Sequence, residues 1–349
     1  MAQKRAMICG YYGQGNGGDE ALLVTLLQML PPAIRPLVLS ANPWETHERY
    51  DVDSIPGRNG LALLQGFRQS DFFIWGGGSL LQDATSWASP IYYTGLMALA
   101  QQQGLKTIAW GQGLGPFNRP LTRWLARQTL SSCTAVSVRD SASAALLADW
   151  QIPVNLAPDP VWALEGQQPS GLWDLPAPRI AVNLRSHPLL TPHRLETLVQ
   201  ALKSFQQATG VFVLLIPFQA SKDLPYAQAV AAQLPEKSAH ILEISNPREL
   251  KGLYQGVEMA IGMRLHSLIM AAAEECRCFA LSYDPKVTQL MQETGMPGWE
   301  LGQLPTDANT ISTAWLNHYT NGEPLTPTQI AAMADRARLH QTLLSETCQ

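Results

Sequence analysis

Charged residues are scarce in this sequence, and no segment gathers charges of one sign. Only 15% of the 349 residues are charged, the net charge is -4, and 46% are hydrophobic. The absence of a basic tract argues against a nucleic-acid-binding surface. No apolar run is long enough to span a membrane either. Both absences favour a well-packed globular protein.

Cysteine is also sparse, and the spacing of a metal site is missing. Five cysteines are scattered along the chain, and the two nearest, Cys276 and Cys278, are expected on one face of a strand. Such an odd, unpaired set suits a reducing cytoplasm. The N-terminal residues 1–5 run straight into a strand-like segment and do not resemble a signal peptide. We therefore expect a cytoplasmic protein without a metal site.

Two rounds of alternation between strand-like and helical patterns fill most of the chain. This rhythm is typical of parallel sheets flanked by helices, and the length favours two domains. We predict two Rossmann-like doubly wound α/β domains facing a cleft, at residues 1–164 and 179–322, with a linker at 165–178. A C-terminal helical pattern at about 327–344, within the segment 323–349, is placed to pack back across the first domain.

The expected strands and helices follow from short apolar runs and helical spacing. The strand-like runs are 6–9, 36–40, 71–75, 105–110, 134–138, 180–184, 211–216, 240–243, 257–261 and 278–282. In the first domain the helical stretches are 21–30, 91–103, 121–130 and 142–150.

Glycine-rich turns are expected after three strands of the first domain, at residues 13–20, 76–83 and 111–116. Glycines let backbone amides approach an anion closely. Because the carboxyl ends of parallel strands meet at one edge of a sheet, the turns predict a ligand cleft there. In the alternative interpretation the turns serve only helix–sheet packing. The candidate ligand-binding residues of these turns are Gly15, Asn16, Gly17, Gly77, Gly78 and Asp83.

The polar residues of these turns also have structural interpretations. Asn16 and Asp19 can cap a helix that begins at Glu20. Asp83 can bind sugar hydroxyls or cap a turn. The first turn departs from Gly-x-Gly-x-x-Gly spacing and has no acidic residue at a strand end about 20 positions later, so nicotinamide binding has little support.

Cationic side chains are expected at the same kind of edge. Arg264 and His266 lie where the strand 257–261 gives way to a helix, and a helix N-terminus favours anions. Arg139 follows the strand 134–138, and its planar guanidinium fits a carboxylate or phosphate. The alternatives are an Arg264 salt bridge beside a capping histidine, and a surface pair of Arg139 with Asp140.

Two further cations belong to the second domain. Arg185 follows the strand 180–184, with His187 two positions on, and Lys286 starts a helix. In the alternative interpretation Arg185 and His187 are only solvated loop residues, and Lys286 is exposed to solvent, as lysines commonly are. Together with Arg139 and His266, these positions predict a site for a small anion.

Several motifs in a fixed order resemble the polysaccharide pyruvyl transferase family, particularly its bacterial cell-wall branch. The resemblance spans most of the chain. The matching segments are GYYG at 10–13 with NxGDEAL at 16–22, GGGSLLQD at 76–83, GQGLGP at 111–116, SVRD at 137–140, GMRLHS at 262–267 and SYDPKV at 282–287.

The resemblance implies a fold like that of two-Rossmann glycosyltransferases, with the site between the domains. It implies phosphoenolpyruvate as donor substrate, no cofactor, and transfer of pyruvate as a cyclic ketal to N-acetylmannosamine in a lipid-linked cell-wall precursor that anchors surface-layer proteins. Arg139, His266 and Lys286 would hold or activate the donor, and Arg264 is an additional candidate. Asp19 is a candidate base. Arg185 would face the acceptor, although the aromatic residue that often follows it in relatives is missing.

The lipid-linked acceptor would also bring the protein to the inner membrane surface. Two other functions remain open. In a nucleotide-sugar glycosyltransferase, Glu274 and Glu275 would bind a ribose. In a non-catalytic carbohydrate-binding module, exposed tryptophans would stack on sugars, although most are expected in the core or at an interface. The tryptophans considered for stacking are Trp44, Trp87, Trp162 and Trp299.

Overall fold

A computed structural model describes residues 3–84 and 86–349. The chain divides into two compact units. The first contains the residues as far as Gln14 together with 19–164 and 332–349, and the second contains 15–18 and 165–331. No helix of the described residues is long and apolar enough to cross a bilayer.

The first unit is built on a seven-stranded parallel sheet in the order β3-β2-β1-β4-β5-β6-β7. Its strands are β1 (Lys4–Cys9), β2 (Ile34–Ser40), β3 (Asp53–Pro56), β4 (Phe72–Gly78), β5 (Lys106–Gln112), β6 (Ala135–Val138) and β7 (Asn155–Leu156). Its helices are α1 (Gly17–Met29, whose first two residues belong to the second unit), α2 (Pro43–Tyr50), α3 (Gly60–Arg68), α4 (Ala88–Gln102), α5 (Pro120–Ser131) and α6 (Ser141–Asp149).

Side chains of α3 to α6 pack on one face of this sheet. Phe67 of α3, Met97 of α4 and Leu130 of α5 share a core cluster with Phe73 of β4. Every residue of β4 is buried, as expected for a central parallel strand covered on both faces. The sheet therefore holds the ends of its central strands rigidly.

The second unit repeats the same plan with six parallel strands in the order β10-β9-β8-β11-β12-β13. The strands are β8 (Arg179–Asn183), β9 (Phe212–Leu215), β10 (Ala239–Ile241), β11 (Met259–Gly262), β12 (Arg277–Ser282) and β13 (Gly298–Glu300). The helices are α7 (Pro192–Thr209), α8 (Ala220–Ala231), α9 (Pro247–Gly252), α10 (Leu265–Ala273), α11 (Pro285–Thr294) and α12 (Ala308–Asn321).

Local sequence explains where several of these helices begin and end. Asp284 caps α11 by accepting the amide of Lys286, Pro285 occupies the first turn, and Gly295 ends the helix in a left-handed conformation. In both sheets the strand order reverses beside the first strand, which is the arrangement of a doubly wound fold. The predicted α/β class with two Rossmann-like units is confirmed.

Elements with weak patterns were not predicted. The edge strands β3, β7 and β13 are two to four residues long and incompletely buried, so they lack an apolar run. Helices α2 and α3 were also missed, because α2 is mostly polar and α3 contains two glycines.

The C-terminal helical pattern forms two helices instead of one. α13 (Pro327–Ala337) and α14 (Leu339–Thr347) are separated at Arg338, where neither proline nor glycine marks the break. Residues 332–349 belong to the first unit, and the buried His340, Leu343 and Leu344 anchor α14 there.

Candidate functional site

The carboxyl edge of the first sheet brings the three glycine-rich segments together. β1, β4 and β5 are neighbours in the sheet, so the segments that follow them start side by side. The Tyr12 hydroxyl donates to the carbonyl oxygen of Gly76 at 2.7 Å, and the amide of Gly113 donates to the carbonyl oxygen of Gly78 at 2.8 Å. These two hydrogen bonds hold the backbone of the glycine-rich segments in one conformation.

The second glycine segment begins inside a strand, contrary to the predicted turn. Gly76 and Gly78 are paired with Trp110 and Gln112 of β5. Gly77 and Gly78 have φ angles of 87° and 86°, which residues other than glycine rarely adopt. The pairing with β5 therefore overrides the tendency of three glycines to form a turn.

Arg139 follows β6 and is fixed by neighbours from several loops. Its Nη1 donates to Oδ2 of Asp159 at 2.6 Å, and its Nη2 donates to the Ser79 hydroxyl at 2.9 Å. The residue is only 8% exposed. A Cβ on Gly113 would lie 3.0 Å from the Arg139 Nε, so glycine gives the guanidinium its space. The charge of Arg139 is balanced by a buried carboxylate that the sequence did not single out.

The ion pair that the structure shows for Arg139 is the buried one with Asp159, in place of a surface pair with Asp140. Asp140 instead caps α6, because its carboxylate accepts the amide of Ser143 at 2.7 Å. Asp140 is therefore the N-cap of α6.

The first glycine-rich turn differs from its prediction in where the helix starts. α1 begins at Gly17 and not at Glu20, so Asp19 lies within the first turn and is not the cap. The side-chain oxygen of Asn16 accepts the amide of Gly18 at 3.4 Å, which agrees with a capping role for Asn16. An acidic Asp19 in the first turn complements the helix dipole.

Glu20 is a buried carboxyl of the same turn that sequence reasoning passed over. It accepts the amide of Gly13 and the hydroxyl of Tyr50, each at 2.8 Å. Burial raises the pKa of Glu20, and the hydrogen bonds from Tyr50 and Gly13 partly oppose that effect. Glu20 thus fixes the turn through Gly13.

Asp83 organises a neighbouring loop in the first unit. Its carboxylate accepts the amides of Asn118 at 2.6 Å and Arg119 at 2.9 Å, and the hydroxyl of Thr122 at 2.5 Å. Burial by itself raises the pKa of Asp83, but these hydrogen bonds outweigh it and the pKa is lowered. These contacts agree with the alternative in which Asp83 caps a turn, here the turn that leads into α5.

His340 of α14 completes a buried network behind Arg139. Its Nε2 donates to the carbonyl oxygen of Pro158 and its Nδ1 accepts from Ser137, both at 2.9 Å, since a carbonyl can only accept. Ser137 also accepts the amide of Gly111 at 2.9 Å. Burial lowers the pKa of His340 to about 4. Pro158 immediately precedes Asp159, so the histidine braces the loop that pairs with Arg139.

The second unit places its predicted cations after three adjacent strands. Arg185 follows β8, His266 stands in the first turn of α10 after β11, and Lys286 stands in the first turn of α11 after β12. His266 and Lys286 are half-buried. All three belong to the carboxyl edge of one sheet, where helix N-termini favour an anion.

Arg264 forms the salt bridge that the alternative interpretation described. Its Nε and Nη2 each donate to Asp223 at 2.7 Å, and both side chains are nearly fully buried. Its backbone amide donates to the side-chain oxygen of Asn183 at 3.2 Å. One edge of the guanidinium is therefore occupied within the protein, and Arg264 fixes the turn that carries His266.

Residues 15–18 belong to the second unit and lie beside His266. The amide of Gly17 donates to the carbonyl oxygen of Phe218 at 2.7 Å. A Cβ on Gly18 would lie 2.2 Å from the Nδ1 of His266, so only glycine fits there. A Cβ on Gly15 would meet nothing within 4 Å. The structure thus brings Gly18 and His266 together, although the sequence separates them by most of the chain.

Arg185 meets an aromatic residue from another strand end. Its Nη1 donates to the Tyr283 hydroxyl at 2.7 Å, and its guanidinium carbon lies 4.9 Å from the centre of the Tyr283 ring. The His187 ring centre is 4.8 Å from that of Tyr283. Burial raises the pKa of Tyr283, and Arg185 partly opposes that effect. An aromatic ring that follows β12 therefore lies against Arg185.

Glu274, one of the two ribose ligands expected in the glycosyltransferase alternative together with Glu275, is engaged within the second unit. It pairs with Lys251 at 3.6 Å and accepts from Gln255 at 2.8 Å. A Cβ on Gly166 would lie 2.8 Å from its Oε1. Burial lowers the pKa of Lys251, and Glu274 opposes that effect. Both carboxylate oxygens of Glu274 therefore have partners within the second unit.

The tryptophans considered for sugar stacking do not form one group. Trp162 is 2% exposed and Trp299 packs on Phe279, whereas Trp44 and Trp87 are 72% and 58% exposed. Within residues 3–84 and 86–349 no group of three or more histidine, cysteine or acidic side chains is arranged to hold a metal ion.

Comparison with known proteins identifies one family and one fold. A family model described as polysaccharide pyruvyl transferase matches residues 16–285. No curated protein matches the chain significantly. Among solved structures, UDP-GlcNAc 2-epimerase from Methanocaldococcus jannaschii has a TM-score of 0.66 at 11% identity, over 98% of this chain and 99% of that one.

Two further solved structures are similar over nearly the whole chain. A putative UDP-N-acetylglucosamine 2-epimerase from Listeria monocytogenes has a TM-score of 0.64 at 13% identity, and a glycosyltransferase from Rickettsia africae has 0.54 at 12%. Each alignment covers 99% of this chain and 94% of the other. At such low identity these similarities show the fold alone.

Proposed function

Because this chain belongs to the polysaccharide pyruvyl transferase family, we propose that it transfers pyruvate from phosphoenolpyruvate to two hydroxyls of a sugar as a cyclic ketal. The proposed acceptor is N-acetylmannosamine in a lipid-linked cell-wall precursor that anchors surface-layer proteins. The observation that carries the proposal is the placement of Arg185, His266 and Lys286 after three adjacent strands of one sheet.

The donor requires several fixed hydrogen-bond donors. Phosphoenolpyruvate carries a carboxylate and a phosphate close together, and a protein must replace their hydration. We assign Lys286 and the N-terminus of α10 to the anionic groups, with Arg139 contributing from the edge of the first sheet. The buried Asp159 holds Arg139 in one rotamer, which limits the ordering cost on binding. The segment Gly15–Gly18 reaches His266 at Gly18, and its glycines allow a ligand to approach the backbone closely.

The reaction needs one proton donor and one proton acceptor. We assign His266 as the acid that protonates the methylene carbon of the donor, which leaves a cationic carbon between the carboxylate and the phosphate ester oxygen. One sugar hydroxyl attacks this carbon, phosphate departs, and a second hydroxyl closes the ketal. The two sugar hydroxyls release two protons in total. One replaces the proton that was added to the methylene carbon, and the other leaves with the phosphate. Asp19, in the first turn of α1, is the proposed base for a hydroxyl.

We propose that Arg264 positions His266 and does not bind substrate directly. Its contacts with Asp223 anchor the turn between β11 and α10. The saccharide is proposed to stack near Arg185, where Tyr283 and His187 present ring surfaces. Because such an acceptor is lipid-linked, we place the reaction at the cytoplasmic face of a membrane.

The decisive assay supplies phosphoenolpyruvate and an acceptor that contains N-acetylmannosamine. We expect phosphate release together with a product heavier than the acceptor by one pyruvic acid less one water. His266→Ala should lower turnover by roughly 10²–10⁴-fold while donor binding is partly retained. His193→Ala is the matched control, because His193 is exposed in the first turn of α7. Normal turnover of His266→Ala would reject the acid assignment.

The glycosyltransferase alternative is separated by the same assay with nucleotide sugars in place of the donor. The two-unit fold fits that class, but the occupied carboxylate of Glu274 argues against a ribose there. Sugar transfer from a nucleotide sugar, without ketal formation from phosphoenolpyruvate, would favour the alternative. Binding of saccharide without any turnover would favour the binding module.

A further inference from the structure

Three neighbouring helices of the first unit present an exterior without a single acidic residue. Helices α3, α4 and α5 contain no aspartate or glutamate, and neither does the whole stretch 84–139. The chain as a whole has 28 acidic residues and a net charge of -4. The charge of this surface is therefore opposite in sign to the net charge of the chain.

These helices lie on the same face of the first sheet. Phe67, Met97 and Leu130 send side chains from α3, α4 and α5 into one core cluster, and α4 packs against α5. The Tyr92 hydroxyl of α4 donates to the carbonyl oxygen of Gly57, just before α3. Helices that cover one face of a sheet turn their outer sides to the exterior together.

Large apolar side chains are exposed on that exterior. Leu61 of α3 is 76% exposed, Trp87 at the start of α4 is 58% exposed, and Leu121 and Trp124 of α5 are 56% and 55% exposed. We name the surface formed by α3, the start of α4 and α5 the arginine–tryptophan face. Exposed apolar groups of this size concentrated on adjoining elements are typical of an interaction surface.

Arginines flank the apolar side chains of α5. Arg119, Arg123 and Arg127 recur every four residues and are all exposed. In helical projection Trp124 points away from the buried Ala126, with Arg123 and Arg127 to one side of it and Leu121 to the other, while Arg119 immediately precedes the helix. Tryptophan at an interface with arginines beside it is the arrangement of helices that lie in a lipid headgroup region.

We infer that the arginine–tryptophan face is a docking surface for a membrane rich in anionic phospholipid. Trp124 and Leu121 would enter the boundary between headgroups and acyl chains, while the three arginines contact lipid phosphates. Asp83 contributes by fixing the start of α5 through the amide of Arg119. The inference does not depend on the proposed reaction, because vesicle binding is measured without donor or acceptor.

The test is co-sedimentation of the full-length protein with vesicles of phosphatidylcholine alone or mixed with phosphatidylglycerol. We expect binding to the mixed vesicles that weakens as salt is added. The triple variant Arg119→Gln/Arg123→Gln/Arg127→Gln should bind about a hundredfold more weakly, which corresponds to roughly fivefold for each arginine. Trp124→Ala should also weaken binding and remove the shift of tryptophan emission on mixing.

Matched control variants distinguish binding through this face from nonspecific binding of the protein to vesicles. Trp44→Ala removes a tryptophan that is 72% exposed on α2, a helix with two glutamates, and should bind like the wild type. The triple change Arg35→Gln/Lys237→Gln/Arg336→Gln removes three exposed cations elsewhere and should weaken binding much less. Circular dichroism verifies that each variant is folded.

Three results would overturn the inference. The first is equal binding of the wild type to neutral and anionic vesicles. The second is wild-type binding by both the triple arginine variant and Trp124→Ala. The third is self-association of the wild type that Trp124→Ala abolishes, with no vesicle binding, which would make this face a contact between two copies of the chain.

Discussion

Replacing Asp223 by alanine leaves the guanidinium of Arg264 buried without its counter-ion. Arg264 and Asp223 have side chains that are 8% and 1% exposed, and they are joined by two hydrogen bonds of 2.7 Å. Removing one partner of such a buried pair costs about 3–5 kcal/mol. Asp223 also accepts the amide of Gln219 at 3.0 Å, so that donor loses its partner as well. We expect a loss of stability near the upper end of this range.

The assay combines urea denaturation with hydrogen exchange of the full-length protein. Faster exchange should be concentrated in peptides from β11, α10 and α8, because these elements hold the pair. Asp335→Ala is the matched control, since Asp335 pairs with Arg338 where the side chains are 73% and 56% exposed. An exposed pair contributes roughly 0–1 kcal/mol. An equal, small loss in both variants would refute the reasoning from burial.

A double variant separates stability from positioning. Arg264→Met/Asp223→Leu replaces the pair by apolar side chains, which is often neutral or stabilising in a buried site. We expect this variant to regain most of the stability and to remain roughly tenfold or more below the wild type in turnover, because His266 loses its fixed turn. Wild-type turnover by the double variant would show that Arg264 has no part in positioning His266.

Further predictions concern the buried contacts around the site. The folded protein favours the neutral form of His340, so the wild type should lose about 3 kcal/mol of stability as the pH falls from about 6.5 to 4. His340→Gln should remove this pH-dependent loss, which urea titrations across the range measure. Asp83→Ala should destabilise the protein by about 1–2 kcal/mol, seen in thermal unfolding, since three donors lose one acceptor. Gly18→Ala should impair turnover by displacing His266, whereas Gly302→Ala, which meets no neighbour, should not.

Much of the fold follows from local pattern. The buried parallel strands read as short apolar runs, and capping by Asp140 and Asp284 is visible from single residues before a helix. The short edge strand β3 was not predicted because its four residues form no buried apolar run, and α3 was not predicted because it contains two glycines. The sequence did not predict that Gly78 lies in a strand, because this follows from its pairing with Gln112 and not from the preference of glycine.

The sequence by itself determined which residues stand at the strand ends. Arg139, Arg185, His266 and Lys286 occupy such positions because backbone periodicity sets where each strand stops and each helix starts. Charge at a helix N-terminus is a local property, so it was readable without coordinates.

Only the tertiary structure decided what those residues touch. Asp223 lies 41 positions from Arg264, and Ser137 lies 203 positions from His340, yet each pair is in contact. A buried charge needs a partner, but chain periodicity does not say which of many carboxylates will reach it. That choice depends on how the strands and helices pack, and here it pairs Arg264 with Asp223 and Arg139 with Asp159.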